Sequence, residues 1–293
     1  SVAKLAEERF DFLIEAGIHY ASHPQFQKLV REKKWDEALA SLVSEQSPFT
    51  FGIDRILLID VDSTPKADYP RLPEFQKLRG NQYKDRDWYI GVSRNWEPYI
   101  TEIYKRLTEP RINIISIIIP IKSLLPEEKG KILGILNLPI SLDDFSLWSK
   151  TLNTNPSGIL YYVDQKGQIV GYPTYSQNSE IVNYSSVPAV VRLLHGEEGV
   201  NILFNQVDKK ESVTAYYKIG KYHWGVVAAQ ETTEAFRERD NQLKQIILFI
   251  FVFIIISVSL LYILYRFFFL VNKYQYEERV LLESVGDGVF VVD

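Results

Sequence analysis

Arg86, Trp88 and Tyr89 stand within four residues of one another, and Tyr99 follows ten positions later. Together they offer the chemistry of recognition. A guanidinium gives two parallel hydrogen bonds to a carboxylate, while aromatic walls exclude water and tyrosine hydroxyls add donors, so a small anionic or zwitterionic ligand fits these residue types. The same residues also read as plain structure, with the aromatics in a core and the Arg86 stem laid over Trp88. On residue types alone both readings stand. Asp85 and Asp87 flank Arg86, either as an acidic partner for a ligand or simply as its neutralising charges.

Other clusters carry less chemistry. Glu15, His19 and His23 fall at i, i+4 and i+8, a spacing that shares one helix face and from which a metal site can begin. Two histidines near a helix end read more simply as polar surface, and no metal is expected. The chain shows no phosphate-binding glycine loop, zinc signature or nucleophile elbow, so no cofactor and no catalytic residue is expected in it. The absence of cysteine removes thiolate nucleophiles, disulfides and cysteine metal ligands together.

The 293 residues carry a formal charge of −4. With a pI near 5.7 there is no broad basic field, which excludes a nucleic-acid partner as an expectation. Methionine is absent too, so Ser1 is not a retained initiator, and an upstream signal segment or first membrane span is expected.

The elements that must position these residues follow from periodicity. Residues 1–20 space apolar side chains as a long helix does, the pair His23 and Pro24 ends it, and residues 24–43 read as a second helical piece. Residues 55–60 look like a strand, and the proline-bearing stretch 62–73 reads as a surface loop. Two isoleucine-rich runs, 112–121 and 132–140, read as paired buried strands. Further on, 158–163 pairs with 168–172 across Asp164, Gln165, Lys166 and Gly167, and 213–219 pairs with 222–229 across a two-residue turn at Gly220 and Lys221. A short helix, 187–194, ends at His195 and Gly196.

Residues 231–285 contain neither glycine nor proline. Within them, 246–265 is uncharged and almost wholly apolar, which at about 1.5 Å per residue reaches roughly 30 Å, the hydrocarbon thickness of a bilayer. One membrane span inside a long helix is expected, with Thr232 and Thr233 as its caps. Basic residues balance on its two sides, so charge does not orient it.

The order of long helix, sheet module, sheet module and membrane span resembles the double Cache sensor domain of bacterial transmembrane receptors. Arg86, Trp88 and Tyr89 look like that family's arginine-x-tryptophan-tyrosine element, Tyr99 stands where a ligand-facing tyrosine is expected, and residues 134–142 resemble its last core strand. Residues 161–173, 195–199 and 222–227 resemble its second-module turn and strands. The resemblance implies an α+β fold with the long amino-terminal helix and second helix in 1–50, PAS-like antiparallel modules over 51–148 and 149–235, a helix over 236–271 and a linker over 272–293. It also implies ligand contacts from Arg86, Trp88, Tyr89 and Tyr99. Amino-acid-binding members carry an aspartate where this chain has Pro139, which turns the expectation toward a carboxylate or another small metabolite.

Residues 281–293 resemble the entry helix and first strand of a PAS domain. Because PAS modules of such receptors are cytoplasmic, the resemblance puts the residues before about 245 outside the inner membrane and the tail inside. It implies a sensor histidine kinase of a two-component system, with a diguanylate cyclase or phosphodiesterase, or a ligand-free tethered interaction module, as alternatives. The spacing of Phe267, Val271, Tyr274, Leu281 and Val285 follows a coiled-coil seam, so a homodimer is expected.

Overall fold

A computed structural model describes residues 1–45, 53–152, 158–171, 178, 180–205 and 209–286. Contacts divide the chain into two compact units, Ser1–Thr232 and Thr233–Asp293.

The first unit begins with helix α1, Val2–Ala21, followed by α2, Pro24–Arg31, and α3, Trp35–Glu45. Strands β1 (Ile56–Ile59) and β2 (Pro65–Tyr69) come next, then α4 (Asp87–Ser93), β3 (Tyr99–Ile100), β4 (Tyr104–Lys105), β5 (Asn113–Lys122) and β6 (Ile132–Ser141). The strands form one antiparallel sheet in the order β2-β1-β6-β5-β3, with β4 also pairing β5. Helix α5, Leu142–Leu152, leads to a second antiparallel sheet. It contains β7 (Gly158–Val163), β8 (Ile169–Val170), β9 (Gly199–Asn205), β10 (Lys210–Ile219) and β11 (Trp224–Glu231), ordered β8-β7-β11-β10-β9, with helix α6 at Pro188–Leu194.

The isoleucine runs become β5 and β6 because both faces of the first sheet are covered, which favours continuous rather than alternating apolar sequence. Ile115, Ile117, Ile119 and Ile121 join the core under α1. Ile118 points the other way, to Trp88 and Val92 of α4. Helix α1 lies close to β5 at Gly17, where an added Cβ would stand 2.6 Å from the Ile119 side chain. The same helix reaches the second sheet through Phe10, whose ring meets Trp224 edge-on at 5.3 Å and stacks on Phe145 at 6.1 Å. Phe145 in turn meets Tyr162 edge-on at 5.2 Å.

Several details differ from the sequence reading. The helical piece at 24–43 is two helices, because Lys33 takes a left-handed conformation at φ +59. The stretch 62–73 is not merely a surface loop: β2 lies inside it as an edge strand, and Ala67 and Asp68 are buried. A proline at the start of an edge strand costs no ladder bond, which is why Pro65 concealed it. The expected two-residue turn is longer, a 3-10 turn over Gly220–Tyr222 followed by His223 at φ +57. Strand β8 stops at Val170, and Tyr172 lies outside the described residues. Glu15 and His19 sit on the exposed side of α1, whereas His23 precedes the first turn of α2.

The second unit is helical. Thr232 and Thr233 begin a four-residue helix α7, Thr232–Ala235, rather than capping the rod. The rod itself is α8, Arg237–Gly286, whose 50 residues span roughly 75 Å. Among the described residues it is the one helix long and apolar enough to cross a membrane. The PAS-like residues beyond Gly286 lie outside the described residues.

Two outcomes follow. Phe10→Ala is expected to cost about 3–5 kcal/mol, measured by urea unfolding, because it empties the junction of α1 with both α5 and β11. Burial pushes the Tyr162 phenol up to about 12 from its usual 10. The folded state thus holds this proton more tightly, so the stabilisation is complete below about 10 and is lost as pH rises through about 12. Tyr162→Phe is expected to shift the midpoint of alkaline unfolding to higher pH, followed by circular dichroism.

Candidate functional site

The face of the first sheet opposite α1 carries a cavity of about 60 Å³. Its floor is built by β1, β5 and β6, through Leu57, Ile59, Ile114, Asn137 and Pro139, and its walls by Tyr83, Arg86, Trp88, Tyr104 and the turn at 106–108. Register explains the grouping: Leu57 pairs with Asn137 across β1 and β6, and Asn137 pairs with Ile118 across β6 and β5. A wider groove of about 580 Å³ shares Arg86, Trp88, Tyr104, Arg106 and Leu107 with this cavity and adds Asp85, Asp87, Glu102, Lys105 and Arg111.

Three arginines line the inner cavity. Arg55 is 2% exposed, donates to the Thr108 hydroxyl at 2.7 Å and lies 3.7 Å from Asp68. Arg106 donates to Asp54 at 2.5 Å. Burial raises the carboxyls of Asp54 and Asp68 above their ordinary range, against the pull of these guanidiniums. Arg86 differs from the other two, because its guanidinium lies 5.5 Å over the Tyr104 ring and no carboxylate pairs with it among the described residues. Tyr104 shares a 2.7 Å hydrogen bond with Ser116, and burial raises its phenol.

Of the four residues expected at a ligand site, the structure brings Arg86 and Trp88 to the cavity and directs the two tyrosines elsewhere. Tyr89 donates to the Val61 carbonyl at 3.0 Å and packs edge-on against Trp88 and Trp96. Tyr99 donates to Asp87 at 3.0 Å and accepts from Gln165 of the β7–β8 turn at 2.9 Å. Burial, then the Asp87 charge, raises the Tyr99 phenol far above its usual value. Pro139 and Asn137 both line the cavity, as their place in the last core strand implies. Sequence reasoning missed Arg55, Tyr104 and Arg106. Arg55 opening an apolar strand was the available signal, since a charge there needs a buried partner.

The β7–β8 turn is tied to the walls of this site. Asp164, fully buried, accepts the Ile103 N–H at 2.9 Å with one oxygen and the turn amides of Lys166 and Gln168 at 2.9 Å with the other. Lys166 pairs with Glu102 at 2.5 Å, and Asp87 accepts the Glu102 N–H at 3.1 Å. Residues 102–104 therefore touch the groove on one side and the second sheet's turn on the other.

The sequence profile of the Cache domain matches residues 5–238. The fold is similar to the periplasmic sensory domain of the Campylobacter jejuni chemoreceptor Tlp1, with TM-score 0.58 and 13% identity over 80% of this chain and 92% of that one. It is also similar to the extracellular domain of the candidate histidine kinase rpHK1S-Z16, with TM-score 0.57 and 16% identity over 80% and 92%. A third similar structure is the ligand-binding domain of the Pseudomonas aeruginosa amino acid chemoreceptor PctB in complex with L-Arg, with TM-score 0.54 and 16% identity over 80% and 91%. No curated protein sequence matches. With two antiparallel sheets under one long helix and a profile match over most of its length, the chain belongs to the Cache domain family.

Proposed function

We propose that this chain is the extracytoplasmic sensor and transmembrane part of a bacterial receptor, and that the first sheet module binds a small anion between Arg86 and Trp88. The carrying observation is Arg86: a guanidinium without an ion pair among the described residues, held over Tyr104 at the junction of a cavity and an open groove. Positive charge held ready beside aromatic walls favours a carboxylate. The output is a histidine kinase in this reading, supported by the PAS-like residues after α8 and by the likeness to the candidate kinase domain. Two copies pair along α8, where Phe267, Tyr274 and Leu281 are exposed.

A second reading, a ligand-free tethered module, draws on the small inner volume of about 60 Å³, below the few hundred Å³ of most ligand sites. Thermal shift of the full chain in nanodiscs with a panel of small carboxylates separates the two. A binder at 100 times its Kd is expected to stabilise by about 2.7 kcal/mol, and Arg86→Ala is expected to remove that shift. A flat panel favours the second reading.

Binding at this site reaches the second module through the loop at 102–104. Asp164→Ala leaves four donors without their acceptor, those of Ile103, Lys166 and the backbone and side chain of Gln168. It is expected to cost about 3 kcal/mol and to raise amide exchange at Ile103, measured by hydrogen exchange.

A further inference from the structure

We infer that the ligand head group is a 2-hydroxycarboxylate and that Asn137 selects its hydroxyl. The inference rests on the anion reading above and follows from the charges and unfilled valences of the inner cavity. Two of its three guanidiniums already have carboxylate partners, Arg55 with Asp68 and Arg106 with Asp54. Arg86 has none among the described residues, so the site carries one uncompensated positive charge. A single carboxylate answers it.

Three atoms on residues lining the cavity are buried without a hydrogen bond, Asn137 Oδ1, Arg55 Nη2 and Arg106 Nε. Asn137 Oδ1 is an acceptor and Arg55 Nη2 a donor that faces Asp68 Oδ2 at 3.7 Å, on residues 4% and 2% exposed. Both residues line the cavity. A buried polar atom without a partner costs about 1–3 kcal/mol, so a ligand group that donates to Asn137 Oδ1 is favoured. A hydroxyl does so, and unlike an ammonium it can also accept from a guanidinium of the same lining. An ammonium donates to Asn137 but accepts nothing. It would also stand among three guanidiniums in a cavity whose lining contains no aspartate or glutamate. Pro139, on the same floor, offers no N–H to compete for the carboxylate. At about 60 Å³ the inner space takes a head of a few heavy atoms, and any larger substituent extends into the groove across Arg86 and Tyr104.

Acetate, glycolate and glycine differ only in the hydrogen, hydroxyl or ammonium at carbon 2, and calorimetric titration of the full chain in nanodiscs compares them directly. Glycolate is expected to bind at least tenfold tighter than acetate or glycine. Asn137→Leu is expected to erase the preference over acetate while acetate still binds, and Arg86→Ala to abolish all three. Asn137→Asp, which places a carboxylate at the same point, is expected to turn the preference from glycolate to glycine. Equal binding of acetate and glycolate, or tighter binding of glycine to the unsubstituted chain, overturns the hydroxyl assignment while the Arg86 reading stands. Failure of all three to bind overturns both.

Discussion

One apolar stripe along α1 closes the core of both sheets. Phe10 reaches Trp224 and Phe145, while Leu13, Ile14 and Gly17 lie in the same buried row toward the first sheet. The main hydrophobic cluster accordingly runs without a break from Ile115 and Leu138 of the first sheet to Tyr162 and Val226 of the second. Helices α2, α3 and α5 share that face with α1, α2 packing on β6, α3 on β2 and α5 on β5, β6 and β8. The two modules therefore share a single cooperative core, and the sites on their opposite faces inherit one rigid backing.

That backing leaves the α4 face free to be polar. Buried charge is costly unless paired, and the first sheet holds Arg55 with Asp68 and Arg106 with Asp54 beside a cavity that has spare hydrogen-bonding atoms. Neighbouring residues divide the labour on the site's wall: Arg86 faces the cavity, while Asp87 braces Tyr99 and the Glu102 amide. The two are joined by a single peptide unit, Glu102 links Asp87 to Lys166 of the second module, and the neighbouring Ile103 amide is held by Asp164.

Much of this was legible in the chain. The isoleucine runs, the long first helix, the glycine-ended α6 and the apolar rod all rest on local periodicity, which packing then reinforced. What escaped depends on distant partners. Strand β2 carries Pro65 and Asp68, both poor strand residues, and is held by pairing with β1 and by the Arg55 charge across it. Helix α4 has only 7 residues, too few for a helical period to declare itself. Arg86 and Trp88 were visible as candidates for the cavity lining because they stand two positions apart. Arg55 and Arg106 were not, because register and a turn, rather than spacing, bring them together. Tyr99 has the right chemistry, but its hydroxyl is already committed to Asp87 and Gln165.

On the proposed anion reading, the two-compartment form of the site separates capture from retention. The groove carries Lys105, Arg106 and Arg111 against Asp85, Asp87 and Glu102, a mixed field open to solvent and to dissolved salt. The inner chamber has a mostly apolar lining from Trp88, Tyr104 and the sheet, so charges within it are screened less than those in the groove. In that reading ionic strength would act more on how quickly an anion is gathered at the mouth than on how long it stays. Such a receptor would hold its dwell time, and hence its signal per captured molecule, more nearly constant than its capture rate as the salinity of its surroundings changes.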